Sequence, residues 1–272
     1  MMKQRKNSYR FDAFDDPSQE AARLKWRTDV NIERFIPTLR EHGLNRNMRV
    51  LDVGSGTGHR ALRLAHFLTA GSVVGIDNSA DLLSQAGLIQ SQAKRGNLEF
   101  RLADIYSRSS LAKLGRFDFI HLRLVMQHLP DTKRALRNLK LLLKPKGRIF
   151  LEDIDREWMT IYPCPPIWPK VYLAVQAGQA GSGGDPYSGR KLGFSLASAG
   201  FKDIKVQMTS LQGGNDLVSG WLENAAPTYL YYLNPSGQRS ARKAFAELAR
   251  LCKKGPIYYY QVWFQASGMA NR

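Results

Sequence analysis

Cysteine is nearly missing from this chain: among 272 residues only Cys164 and Cys252 occur, far apart. That excludes a disulfide scaffold and gives no metal-ligand spacing, so two free thiols in a reducing cytosol, and a cytoplasmic location, are expected. Long apolar runs are missing as well. None approaches the roughly 20 residues of a membrane span, so no transmembrane segment is expected. The opening Met1-Met2-Lys3-Gln4-Arg5-Lys6 is basic, but no apolar signal core follows, which argues against secretion. There is no internal repeat, and no Ser–His–Asp arrangement, nucleophilic thiolate or metal cluster is legible. Acidic residues are scarce, 23 against 40 Lys and Arg, so the net charge is +17. Such a balance favours an anionic substrate or a nucleic acid. The cations are scattered along the chain, however. Lys133, Arg137, Lys140 and Lys144 fall on one helical stripe, which reads first as a solvated face.

What is present centres on residues 49–60, Arg-Val-Leu-Asp-Val-Gly-Ser-Gly-Thr-Gly-His-Arg. Val50, Leu51 and Val53 fit a strand covered on both faces. Gly54, Gly56 and Gly58 leave no Cβ between the backbone and whatever rests on the turn. A helix opening at about His59 would aim free N–H groups at a ligand. The dinucleotide fingerprint needs a small third residue where His59 stands, so that pattern is not met. The pattern Asp52-x-Gly54-x-Gly56-x-Gly58 instead resembles motif I of the class I S-adenosylmethionine (SAM)-dependent methyltransferases. This resemblance implies SAM as cofactor, with Asp52, Gly54, Ser55, Gly56 and Gly58 about it.

The rest of the chain can be read in order. Residues 1–44 are a polar arm with Tyr9, then a helical pattern from about Pro17 to Glu41 that Gly43 ends. Residues 59–69 form a helix and 72–76 a second buried strand. Asp77 closes that strand about twenty residues past the glycine turn, where a carboxylate can accept both ribose hydroxyls of an adenosine. Asn78 or Ser79 is then left to cap the helix of residues 80–94. Residues 98–102 alternate like a strand. The resemblance implies that Asp104 takes the adenine amine, with Ile105 beside the ring, and Asn78 is counted among the cofactor-binding residues. Residues 117–122 are a fourth strand, 132–143 a helix and 148–151 a fifth strand, which ends in Glu152-Asp153-Ile154-Asp155.

Five alternations of strand and helix make an α/β, doubly wound, Rossmann-like sheet. The resemblance covers residues 45–155 and resumes at 195–212 and 258–266. It implies seven strands in the order 3-2-1-4-5-7-6, strand 7 antiparallel. The expected organisation is therefore an arm and helix (1–44), a SAM-binding core (45–155) continued at 191–212, and a final strand with tail (257–272). Two insertions interrupt it, a lid or cap at 156–190 and a helical cap at 213–256. Both are aromatic: Trp158, Tyr162, Trp168 and Tyr172 in the first, Trp221, Tyr229, Tyr231 and Tyr232 in the second. They fit either the core of a small cap or an apolar substrate chamber. The stretch Gly181-Ser182-Gly183-Gly184 suits a mobile lid.

The expected function is methyl transfer from SAM to an O, N or C atom of a small molecule held under the aromatic cap. His128 follows the fourth strand by a short helical turn. The run Phe117 to Leu129 resembles that of phosphoethanolamine methyltransferases, which implies His128 as catalytic base paired with Tyr9 of the arm. Arg123 would then hold the SAM carboxylate or the loop itself. An RNA or protein methyltransferase is the second reading, favoured by the charge. No RNA-binding module or Asn/Asp-Pro-Pro-Tyr/Phe signature supports it, so nucleic acid is a secondary candidate as partner. A non-catalytic SAM-fold subunit is the third. Oligomeric state is not legible.

Overall fold

Residues 17–91 and 96–271 are described by the computed structural model. Five strands lie parallel: β1 (Arg49–Val53), β2 (Ser72–Asp77), β3 (Leu98–Leu102), β4 (Phe117–Arg123) and β5 (Leu143–Tyr162). β6 (Lys202–Gly213) and β7 (Tyr258–Met269) complete the sheet, with β7 antiparallel to both neighbours. The order is β3-β2-β1-β4-β5-β7-β6, as the family resemblance implied. The order reverses between β1 and β4, and a crevice opens there at the carboxyl ends of the strands.

β1 is buried on both faces because its side chains alternate between two apolar layers. Val50 joins Val73, Phe119 and Phe150 beneath α2 (Ile32–Glu41) and α3 (His59–Phe67). Leu51 joins Ile76, Ile120 and Leu122 on the other face, beneath α6 (Thr132–Lys140) and α8 (Leu192–Ser198). α4 (Ala80–Gln90) packs on β3, and Leu111 of α5 (Arg108–Ala112) enters the second layer.

Three boundaries differ from expectation. The helix expected over 17–41 is two, α1 (Pro17–Asp29) and α2, because Asn31 takes a left-handed conformation (φ 66°). α6 stops at Lys140, so Lys144 leaves the basic stripe and sits in β5, where it donates to Asp118 at 2.8 Å. β5 runs on through residues 156–162, where an insertion was expected. A bulge between Ile154 and Met159 restores pairing with β7, down to Tyr162 opposite Tyr258.

α7 (Trp168–Gly181), α9 (Asn215–Asn224) and α10 (Pro235–Lys254) pack on the outer ends of β5 and β7. Trp168, Tyr172, Trp221 and Tyr229 are buried there against one another, with ring centroids 5.3–6.5 Å apart. Trp221 is 2% exposed at the centre of this cluster. Trp221→Ala should lower stability by about 3–5 kcal/mol, the cost of an emptied aromatic core site. A denaturant midpoint unchanged from wild type would contradict that placement.

Candidate active site

The glycine turn follows directly from β1. The N–H groups of Gly54 and Ser55 both donate to the Ile76 carbonyl, at 2.8 and 3.0 Å, which folds the chain back over β2. Gly54, Gly56 and Gly58 all have positive φ, but for different reasons. A Cβ on Gly54 would lie 2.5 Å from Val125 Cγ2, and one on Gly58 would lie 2.6 Å from Phe100 Cζ. Those two glycines serve packing. A Cβ on Gly56 would meet no atom within 4 Å, since that residue faces the open crevice. Gly56 is therefore the position that keeps ligand space clear.

Asp77 secures the turn from β2. Its Oδ2 accepts from Gly56 N and its Oδ1 from Ser79 N, each at 3.0 Å. Ser79 caps α4 through Oγ, which accepts from Leu82 N at 3.3 Å, so the cap does not consume Asp77. Burial raises the Asp77 carboxyl above its ordinary value, against the lowering effect of the Ser79, Gly56 and Asn78 amides. Asp104 begins a turn, with Oδ1 accepting from Tyr106 N at 2.8 Å. Asn138 of α6 fixes this loop by donating to the Ile105 carbonyl at 2.9 Å.

These groups line one cavity of about 1380 Å³. Asp52, Gly54, Ser55, Gly56, Asp77, Asn78, Asp104, Ile105, Arg123 and His128 all reach it. Gly58 stands behind the turn as the residue preceding α3. Tyr9 lies outside the described residues.

Two expected residues are held by partners that the sequence did not announce. Asp52 Oδ1 is 2.7 Å from His121 Nδ1, since parallel pairing sets the two residues opposite each other on β1 and β4. The His121 ring stacks on Phe150, with centroids 6.0 Å apart. Arg123 donates from Nε to Glu152 Oε1 at 2.6 Å and lies over the Trp263 ring at 4.3 Å. Burial pushes the Glu152 carboxyl up, but Arg123 and Arg60 outweigh it and the net shift is downward. Arg123 is thus braced against the sheet, in keeping with a role of holding its own loop.

His128 ends the 3-10 turn Met126–His128 after β4 and is half-buried at the cavity wall. Burial, and then Arg27, Arg23 and Arg156, push its pKa down to about 3. The ring is therefore neutral at neutral pH, and in the free protein it is a weak base. Asp153 sits beneath the turn, with its Oδ2 accepting from Gln127 N and its Oδ1 from Gln127 Nε2, both at 2.9 Å. Burial raises Asp153 to about 7.

Sequence reading missed the arginines. Arg23 and Arg27 on α1, and Arg60 on α3, line the cavity. The signal was available in part, because positions 23 and 27 share one helical face. The aromatic segments correct an expectation in the other direction. No residue of 156–190 or 213–256 is among those lining the cavity. Trp168 and Tyr229 satisfy each other within the helical cluster, while Trp158 is exposed and packs edge-on to Phe264. The glycine-rich stretch ends α7, with Gly184 N donating to the Gln179 carbonyl at 3.0 Å, and does not reach the cavity either. What the aromatic helices do is seat α1. Gly220 of α9 leaves room for Trp26, whose Nε1 would lie 2.9 Å from a Cβ there.

A doubly wound sheet of order β3-β2-β1-β4-β5-β7-β6 opens a cavity at its carboxyl edge, with the glycine turn after β1, Asp77 at the end of β2 and Asp104 after β3 along its wall. Residues 44–180 match the family model described as a methyltransferase domain, and the chain belongs to that family. The cofactor of that family is SAM, and the cavity leaves room for it at the glycine turn: among the described residues no atom lies within 4 Å of a Cβ built on Gly56. The chain is 36% identical over 99 residues to trans-aconitate 2-methyltransferase of Deinococcus radiodurans, covering 36% of this chain and 35% of that one. It is 32% identical over 109 residues to a ubiquinone biosynthesis O-methyltransferase of Coxiella burnetii, covering 40% and 44%. The chain therefore spans less than half the length of each of these relatives. Among solved structures, Haemonchus contortus phosphoethanolamine N-methyltransferase 2 in complex with SAM superposes with a TM-score of 0.59 at 16% identity, covering 96% of this chain and 59% of that one. That likeness is one of fold. Among the described residues no helix is long and apolar enough to cross a membrane.

Proposed function

We propose that this chain transfers a methyl group from SAM to a small-molecule acceptor, held between α1 and the turn that carries His128. One observation carries the reading. The crevice over Gly56 and Asp77 is continuous with the space between α1 and His128, so cofactor and acceptor would share one cavity. The trans-aconitate and ubiquinone-pathway names of the two relatives agree with a small acceptor.

When bound, SAM supplies an electrophilic methyl group on its sulfonium. The chain's own residues position the two reactants, which accounts for much of such a rate. Asp77 takes the ribose hydroxyls, Asn78 lies beside them, and Asp104 and Ile105 take the adenine. The Gly54–Gly56 backbone, including Ser55, admits the methionine portion, and Asp52 stiffens that turn from β1 through His121. Arg123 fixes the loop after β4. His128 accepts the proton that a hydroxyl or ammonium acceptor must lose. The aromatic helices act as the seat of α1 rather than as chamber walls.

Incubation with methyl-labelled SAM and a panel of small metabolites tests the proposal. One methyl group should be gained by a metabolite, and S-adenosylhomocysteine formed in equal amount. Labelling confined to RNA or protein would overturn it.

A further inference from the structure

The outer ends of β5, β7 and β6 extend the sheet, and the two faces of that extension differ. One face carries Met159, Ile161 and Tyr259, which are buried in the cluster formed with α7, α9 and α10. Strand alternation turns their neighbours to the opposite face. There Tyr162 and Tyr258 stand opposite each other on β5 and β7, and Tyr260 follows two residues inward. β6 continues this face with Val206 and Met208, which pair with Ala266 and Phe264 of β7. Trp158 joins it by packing edge-on to Phe264, with ring centroids 5.8 Å apart. Phe194 of α8 borders Val206, since a Cβ on the preceding Gly193 would lie 2.8 Å from Val206 Cγ2.

α8 packs on the inner part of this face, where Phe264 and Ala266 are buried. Beyond it the face is open. Phe194 is 77% exposed and Tyr162 72%, while Val206, Met208, Trp158, Tyr258 and Tyr260 are between 42% and 63% exposed. At roughly 150–250 Å² per aromatic side chain, the exposed aromatics alone present on the order of 500 Å². With Val206 and Met208 the patch goes beyond the roughly 300–600 Å² that is the largest on a typical monomer. It comes close to the roughly 800 Å² that each partner contributes to a stable interface. Tyrosine, tryptophan, phenylalanine and methionine are also the residues enriched at such interfaces.

The charges indicate which partner fits. The outward strand positions, Thr160 and Tyr162 on β5, Tyr258 and Tyr260 on β7 and Val206 to Gln212 by alternation on β6, are all uncharged. An acidic partner finds nothing to pair with on them. The cations beside the patch are engaged within the chain: Arg190 donates to Asp155 and Glu157, and Lys191 to Asp185 at 2.6 Å. They are not held out toward the phosphates of a membrane. A flat, uncharged, apolar face is complementary to itself, which is what a two-fold contact requires. Copies of a chain of net charge +17 can meet there without burying a cation.

We propose that this face of β5, β7 and β6 binds a second copy of the chain, so that two sheets pack face to face in a two-fold dimer. The second copy would cover the bare side of the same strands whose other side carries the helices that seat α1.

Analytical ultracentrifugation of the full chain tests this. Wild type should sediment as a dimer that dissociates on dilution. Phe194→Arg combined with Met208→Arg should weaken the dimer tenfold or more, and thermal melts should stay near wild type because both side chains are exposed in the single chain. If that variant fails to fold, hydroxyl-radical footprinting of wild type serves instead. Oxidation of Trp158 and Met208 should rise several-fold as the dimer is diluted apart, while the buried Trp221 stays protected. A dimer left unchanged by the double variant, or by dilution in its footprint, lies on another surface and overturns the proposal. A wild type that stays monomeric overturns it too. If that monomer sediments with vesicles of phosphatidylserine and phosphatidylcholine, the face is a membrane contact; if its Trp158 and Met208 are protected, another segment of the same chain covers it.

Discussion

Gly56→Val should abolish SAM binding and leave a folded protein. At φ +54° a valine is strained, at a cost of about 1–2 kcal/mol, which is a fraction of an ordinary domain's stability. Among the described residues no atom lies within 4 Å of a Cβ at this position, so the first carbon of the new side chain enters open space. What it fills is the approach of the cofactor. The same change at Gly58 should behave in the opposite way. There the Cβ would meet Phe100 at 2.6 Å and Ala86 at 3.1 Å, so the fold is hit first. Asp77→Ala should also cost SAM affinity, at least tenfold. It removes the proposed ribose acceptor and the oxygen that accepts from Gly56 N at 3.0 Å. Calorimetry with SAM, paired with thermal melts, separates these effects. Wild-type affinity in Gly56→Val or in Asp77→Ala would remove the glycine turn from the cofactor site.

The sheet was readable, and a cofactor half of the site could be proposed, because their signals are local. Apolar runs such as Val73-Val74-Gly75-Ile76 fit strands buried on both faces, and glycines at alternate positions announce a turn that needs open backbone. The contacts made by long-range pairing were not readable. His121 lies in the fourth strand by pattern, but only the register of β4 on β1 brings it to Asp52. β5 continues to Tyr162 because β7, about a hundred residues later in the chain, offers it a partner. The aromatics of residues 156–190 and 213–256 were visible as apolar mass. Whether they face a ligand or one another depends on helix packing, and Trp168, Trp221 and Tyr229 face one another. Arg23 and Arg27 share a helical face in the sequence. Only the break at Asn31 and the seat of Trp26 on α9 place that face at the cavity.

His128→Ala should reduce kcat by about 10²–10⁴-fold, the range of a positioned general base, with SAM affinity unchanged. The pH dependence identifies the group. Burial and the cations Arg27, Arg23 and Arg156 hold His128 near 3 in the free protein, so it stays neutral from pH 5 upward. The free enzyme should therefore show no histidine limb at 6.5, and a step near 7 belongs to Asp153 instead. The two groups also act on stability with opposite signs. The unfolded chain takes up a proton on His128 below 6.5 while the fold refuses it until about 3, so this group costs stability as pH falls across that range. Asp153 keeps its proton in the fold up to about 7 but loses it at about 3.8 when unfolded, so it costs stability as pH rises from 3.8 to 7. In wild type the two slopes oppose each other between pH 4 and 6.5. His128→Gln removes the first and leaves the second, so the variant's denaturant midpoint should gain more at pH 5 than at pH 8, relative to wild type. A His128→Ala turnover number within a few-fold of wild type, at saturating acceptor and at several pH values, would take His128 out of the chemistry and leave positioning as the source of the rate.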